Sequence, residues 1–407
     1  MDNKIKIVFL SNFLNHHQLP ICNELMKQVD GSFRFIATTP VPEERLRMGY
    51  SDYNDSHSFV VKAYDGENDE ISRLISDADI VISAGAPSLS SLVKRIRSDK
   101  LTFVYAERLL KDGDQLLKNP LRLLKYKWLF SRFRFNNLHL LCASSYAAID
   151  FYKLGAFPDK KYKWGYFPEL PSVNHKAFEC SPRSSHSHDL NLLWAGRLLD
   201  WKRPFDVLEL ALKLKASEIP FRLNIIGDGP EAVRLKQAIH DWQLSDQVKM
   251  LGSKTPVEVR NFMTMSDVFL FTSDYHEGWG AVLNEAMGCG SAVVASHACG
   301  STSYLIQHGV NGLVFPCGDT DSIFNYVNLL AANESLRFRL GKNAQQTVSG
   351  EWSASSAVVR FLELCECIQN GRPTPFESGP CSIAKEISNE EAEAEARLYA
   401  DRVDMIQ

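Results

Sequence analysis

No stretch of this 407-residue chain reaches about 18 consecutive apolar residues, so none reads as a membrane-spanning helix. The opening I-V-F-L, set behind Lys4 and Lys6, is too short for the apolar part of a secretory signal and reads as a first strand. A cytoplasmic protein is expected. Neither sign of charge dominates: 45 Lys and Arg stand against 49 Asp and Glu. With a pI near 6.3, the basic field that general nucleic-acid binding wants is missing. Cysteine is sparse and odd in number, nine residues scattered from Cys22 to Cys381, which predicts reduced thiols. Cys365 and Cys367 lie two apart with no second pair at zinc spacing, so no metal site is expected there. The loop S-N-F-L-N-H-H-Q after the first strand lacks the G-x-G-x-x-G of a dinucleotide fold. There is no internal repeat of roughly 20 to 50 residues.

What is present is an α/β alternation, written twice. A chain of this length with 45% hydrophobic residues favours two cores over one. In the first half, apolar runs at 4–10, 33–37, 80–83, 101–105 and 138–143 read as strands, with a helix over 18–28 that tolerates Pro20 in its first turn. The text then turns to Pro, Ser, His and Asn. Beyond it come strands at 190–194, 222–226, 248–251, 267–272, 292–295 and 312–315, with helical patterns between them and a last one over 354–369. Two parallel sheets covered on both faces follow from that rhythm. The boundaries read as a first domain over 1–168, a linker over 169–189, a second domain over 190–370 and a tail over 371–407 ending in an acidic, Ala-rich helical stretch.

The densest chemistry lies between Asp274 and Gly290, D-Y-H-E-G-W-G-A-V-L-N-E-A-M-G-C-G, where Glu277 and Glu285 stand eight residues apart across a Gly-Trp-Gly turn. A buried strand leads in and a helix leads out, so the first unpaired N–H groups of that helix and its positive end face the loop. An anion belongs there. Gly278 and Gly280 let the backbone pass close to a ligand, with Trp279 beside it. Three further loops follow strands of the same domain: A-G-R-L-L-D-W-K-R-P with Arg197 and Lys202, G-D-G-P starting at Gly227, and S-H-A-C-G-S-T. Ligands of open parallel sheets bind at such ends. Taken singly, Arg197 and Lys202 are more often solvated helix-start charges, and G-D-G-P is more often a plain turn. Together the rim offers cations for phosphates and carboxylates for hydroxyls, an inventory that suits a nucleoside diphosphate sugar.

The order G-R-L-x(3)-K, G-D-G-P, H-E-G-W-G-x(4)-N-E-A-M-G-C-G and G-x-N-G-L-V-F resembles the retaining glycosyltransferases of the GT-B fold, family 4, the glycosyl transferases group 1. That resemblance implies two Rossmann-like domains facing across a cleft, and a hexosyltransferase of cell-surface polysaccharide synthesis. It implies that Arg197 and Lys202 bind the donor diphosphate, that Glu277 contacts the donor sugar and that Glu285 holds the ribose hydroxyls. The other donor contacts are expected from Gly227, Gly278, Trp279 and Gly280. In the first domain many members carry a His after a mid-domain strand. Here A-E-R-L-L stands at that place, so Glu107 is expected to take the position, with His16 or His17 on the acceptor side. Retention requires either front-face attack or a covalent intermediate, and both stay open. No cofactor and no metal are expected, since D-x-D at Asp77, Asp112 and Asp319 is too short a pattern to carry weight. An epimerase, a phosphorylase or a non-catalytic scaffold that binds nucleotide sugars remain alternatives on this fold.

Between Lys118 and Arg134 the chain carries six cations and no acid, interleaved with Tyr126, Trp128, Phe130 and Phe133. That composition suits an anionic membrane surface, hence peripheral placement at the inner face and a glycan or polyprenyl-linked acceptor. An ordinary domain helix with Trp128 in the core is the competing reading.

Overall fold

A computed structural model describes residues 5–47, 49, 51–85, 88–170 and 189–406. The chain divides into two compact units, 1–169 with 351–388 and 170–350 with 389–407. Each is built on one parallel sheet.

In the first unit the strands are β1 (Ile7–Ser11), β2 (Phe33–Ala37), β3 (Val60–Lys62), β4 (Ile80–Ala84), β5 (Thr102–Ala106), β6 (Leu138–Cys142) and β7 (Lys161–Lys163), in the order β3-β2-β1-β4-β5-β6-β7. Side chains alternate across a strand, and both faces of this sheet are apolar. Val8, Leu10, Ile36, Val81, Val104 and Leu140 share one core cluster with Ile71, Ile75, Leu92 and Ile96 of the helices Asp69–Asp77 and Ser90–Arg97. On the other face Phe9 lies 5.4 Å from Phe35 and 6.0 Å from Tyr105. Phe361, from the helix Ala354–Gln369, closes that face by stacking edge-on 5.0 Å from Phe103 and 5.7 Å from Trp164.

That helix corrects the sequence boundary at 370. Its apolar stripe was legible, but a stripe says which side is buried and not which sheet buries it. The helix belongs to the first unit, where burying a ring such as Phe361 is worth roughly 3–5 kcal/mol against alanine. The chain then runs along the edge strand β7, with Tyr162 and Ile383 in an antiparallel bridge, so an otherwise open sheet edge is covered. Residues 171–188, most of the expected linker, lie outside the described residues.

The second unit holds β8 (Leu190–Ala195), β9 (Phe221–Ile226), β10 (Val248–Met250), β11 (Val268–Phe271), β12 (Ala292–Ser296) and β13 (Leu313–Phe315), in the order β10-β9-β8-β11-β12-β13. Every pairing is parallel. The carboxyl ends of β8, β9, β11 and β12 therefore open on one edge, and the four loops singled out above all start there. The acidic tail forms the helix Asn389–Ala400, which rejoins this unit and stacks Tyr399 on His308 at 4.3 Å.

Candidate functional site

The loops after β8 and β11 are laced together before any ligand is considered. Trp194 Nε1 donates to Thr272 Oγ1 at 2.9 Å, Thr272 Oγ1 donates to the Lys202 carbonyl at 2.7 Å, and the Asp274 N–H donates to the Trp201 carbonyl at 2.9 Å. These bonds bring together Lys202 and Glu277, which are far apart in sequence, and Lys202 Nζ forms an ion pair with Glu277 Oε2. Both side chains are 13% exposed. Ser273 Oγ donates to the same carboxylate at 3.2 Å. Arg197 stands exposed in the same loop, and among the described residues its guanidinium has no hydrogen-bond or ion-pair partner. A cation left free in the same loop as a cation held on a carboxylate is an arrangement that folding does not require.

Gly227 and Gly280 show why the loops need glycine. Gly227 has φ +136°, and a Cβ there would sit 1.8 Å from the Gly196 carbonyl oxygen. The close approach it permits is thus of the β9 loop to the backbone of the β8 loop. Gly280 has φ +80°, and its Cβ would lie 2.4 Å from Phe271 Cζ and 3.1 Å from Glu277 Cγ. We expect Gly280→Ala to cost about 2–4 kcal/mol, from the left-handed backbone and the displaced Phe271 ring together. Denaturant unfolding checks it; a loss of a few tenths would mean the loop relaxes freely.

Trp279 departs from the expectation placed on it. Its side chain is fully buried, with Nε1 donating to Asn284 Oδ1 at 2.8 Å and the ring 6.2 Å from Tyr304. It anchors the loop from beneath, as does Cys299, whose thiol donates to the Trp279 carbonyl at 2.9 Å. Gly278, also buried, lies between Glu277 and this anchor.

Glu285 lies on the helix Ala281–Gly288 and is 8% exposed. Burial pushes its carboxyl up to about 7, and Arg260 pulls in the opposite direction. Arg260 Nη1 stands 3.7 Å from Glu285 Oε1. The sequence reading missed this partner, which sits on the preceding helix Pro256–Met265, on the far side of β11 in the chain. It missed a second support as well. The Cys317 N–H donates to His297 Nδ1 at 3.0 Å, so the ring proton is on Nε2, which meets Tyr275 Oη at 2.7 Å. Tyr275 Oη then donates to the Asn389 carbonyl at 3.3 Å, tying the Glu277 loop to the tail helix. Burial lowers the His297 pKa, in keeping with a neutral ring.

In the first unit, Glu107 and His17 come together on a residue the sequence did not suggest. Tyr166 Oη donates to Glu107 Oε1 at 2.6 Å, and the Tyr166 ring lies parallel to His17 at 5.8 Å. Glu107 Oε2 pairs with Lys111 at 3.0 Å. The His16 ring lies tilted against that of His17, with centres 3.6 Å apart. Burial first, then His16 and Arg45, hold the His17 imidazole well below its usual range, and its Nδ1 is a buried atom with no hydrogen-bond partner. Arg108, by contrast, is buried beside Asp150 at 3.6 Å and serves the core.

The sequence model of the glycosyl transferases group 1 family matches residues 183–347, the stretch that contains all four loops. The structure of the Anabaena protein HepE in complex with UDP superposes with a TM-score of 0.67 at 16% identity, over 89% of this chain and all of that one. Over residues 183–347 the chain is similar to the glycosyl transferases group 1, and its fold is GT-B. The apo lipopolysaccharide outer core galactosyltransferase WaaB aligns with the GT-B chain at a TM-score of 0.65 and 15% identity, over 90% of this chain and the whole of WaaB. Sequence relatives include the N-acetyl-alpha-D-glucosaminyl L-malate synthase of Bacillus anthracis, 30% identical over 39% of this chain and 41% of its own length. The amylovoran biosynthesis glycosyltransferase AmsK of Erwinia amylovora is 29% identical over 48% of this chain and 49% of AmsK. The chain thus spans less than half the length of these curated relatives.

Proposed function

We propose that this chain is a retaining hexosyltransferase that moves a sugar from a nucleoside diphosphate sugar to a hydroxyl of a glycan or lipid-linked acceptor in cell-surface polysaccharide synthesis. The observation that carries the reading is the Lys202–Glu277 pair with Arg197 unpartnered in the same loop as Lys202, where strand ends open. In the resting site Glu277 neutralises Lys202. A donor diphosphate entering at Arg197 competes for Lys202 and frees the Glu277 carboxylate to accept from sugar hydroxyls. Breaking the anomeric bond puts charge on the leaving phosphate, where two prepositioned cations stabilise it. Glu285, once ionised, accepts from the ribose hydroxyls. In the first unit Glu107, oriented by Tyr166 and Lys111, with His16 and His17, serves the acceptor side.

The UDP in the HepE structure supports a uridine nucleotide as the first candidate, and the amylovoran enzyme supports a polysaccharide product. With protein cations on the diphosphate, the reading includes no metal and no cofactor. The test is thermal shift and donor hydrolysis across UDP-, GDP-, ADP- and dTDP-sugars, with and without chelator, and with Glu285→Ala alongside. One nucleotide is expected to stabilise the protein, with hydrolysis unaffected by chelator and lost in the variant. No shift with any nucleotide would overturn the reading. Conversion of the donor sugar without acceptor would point to an epimerase.

A further inference from the structure

The helix Pro120–Leu129 has two apolar faces, and the first unit uses one of them. Leu123 and Tyr126, followed by Phe130, pack into its core cluster. Leu121, Leu124 and Trp128 point away and are 78%, 67% and 58% exposed. At about 100° per residue these three fall within a sector of roughly 60°, so they form a continuous outward stripe. Phe135, just beyond, is 82% exposed.

The surroundings of that stripe are of one sign. Arg122 and Lys125 flank it on one side and Lys127 on the other, all exposed. The Arg132 guanidinium lies 3.7 Å above the Trp128 ring, and that of Arg134 lies 4.5 Å above Phe135. None of the six cations from Lys118 to Arg134 forms an ion pair among the described residues. An ordinary solvated helix sets its charges against opposite ones along the surface. Here an uncovered apolar stripe sits inside an unneutralised cationic rim, and no helix among the described residues is long and apolar enough to cross a membrane.

We propose that this face docks on the surface of an anionic lipid bilayer, with Leu121, Leu124, Trp128 and Phe135 entering the boundary between headgroups and acyl chains and the surrounding cations meeting lipid phosphates. The side chains match that layered target in order: apolar tips outermost, aromatic rings capped by guanidinium, and lysines at the flanks. The proposal goes beyond the transfer reading and uses no residue of the donor site, so either can fail without the other.

The full chain is sedimented with vesicles of phosphatidylcholine alone and of phosphatidylcholine mixed with phosphatidylglycerol. Binding to the anionic vesicles, weakened by salt, is expected. Arg122→Gln with Lys125→Gln, Lys127→Gln and Arg132→Gln should weaken it roughly fivefold for each cation removed. Leu121→Ser with Leu124→Ser and Trp128→Ser should weaken it at least about tenfold, while thermal melting stays unchanged because these side chains leave the core untouched. Three results would overturn the proposal: no binding of the wild type to anionic vesicles, equal binding by both variants, or binding to soluble polyphosphate as tight as to vesicles and indifferent to the serine substitutions.

Discussion

Lys202→Ala is expected to turn over about 100-fold more slowly or worse, the scale set by removing one preorganised donor from a developing oxyanion. The same change also acts on the fold. Both partners of the Lys202–Glu277 pair are 13% exposed, so the variant strands a mostly buried carboxylate with Ser273 as its remaining hydrogen bond, at a cost of about 3 kcal/mol. The two effects separate in a double variant. Lys202→Ala with Glu277→Gln should recover most of the lost stability and none of the lost turnover. Turnover is measured well below the melting temperature of each variant. A single variant within a few-fold of wild type would end the diphosphate role for Lys202, whereas recovery of turnover in the double variant would show that Lys202 matters only to the loop.

The second large effect belongs to Glu285, and its sign depends on what is measured. Folding moves this carboxyl from about 4.5 to about 7 through burial. Below pH 4.5 it is protonated in both the folded and the unfolded chain and contributes nothing. Between there and about 7 the unfolded chain gives up its proton while the folded one keeps it, so stability falls as pH rises. At about 1.4 kcal/mol per pH unit the loss reaches about 3 kcal/mol above neutrality. Glu285→Gln escapes that loss. It should melt several degrees above wild type at about pH 8 and alongside it at about pH 5. Donor affinity should move the opposite way, falling roughly 10- to 100-fold, because hydrogen bonds from hydroxyls to an ionised carboxylate are lost. Since those bonds favour the ionised form, wild-type affinity should also climb with pH through about 7 and the variant's should not. Calorimetry and nucleotide titration at several pH values check both. A Glu285→Gln protein no more stable than wild type in mild alkali would show that the buried carboxyl carries no such cost.

Stability and function oppose each other at Glu285, which is why this residue could be picked out from sequence while its surroundings could not. Glu277, Arg197 and Lys202 stand beside glycines at strand ends, and local text of that kind is readable. Arg260 was invisible because its helix shows only the usual polar face, and its partner comes on the next helix, with a strand and a loop between. Trp279 was misplaced because an aromatic between two glycines suggests a ligand as readily as a plug; the 0% exposure of the ring decides for the plug. In the fold, β2 was legible to the residue from F-R-F-I-A, whereas β3 and β7 were not, being three-residue strands with V-V-K and K-Y-K for text. The helix Glu334–Ser349 buries Leu336, Leu340, Ala344 and Val348 at a steady four-residue spacing, a stripe that Gly341 and the polar residues around it dilute in the sequence.

The return of residues 351–388 to the first unit and of 389–407 to the second gives the order in which this protein can be made. A ribosome delivers the stretch 1–169 early, yet the face of Phe103 has no Phe361 to meet until the whole of 170–350 has followed it. The second unit in turn waits for residues 389–407, which anchor the Glu277 loop through Tyr275. Neither half is one uninterrupted stretch, so the newborn chain holds an uncovered aromatic sheet face while 170–350 is made, which is the interval in which chaperones and aggregation compete for it.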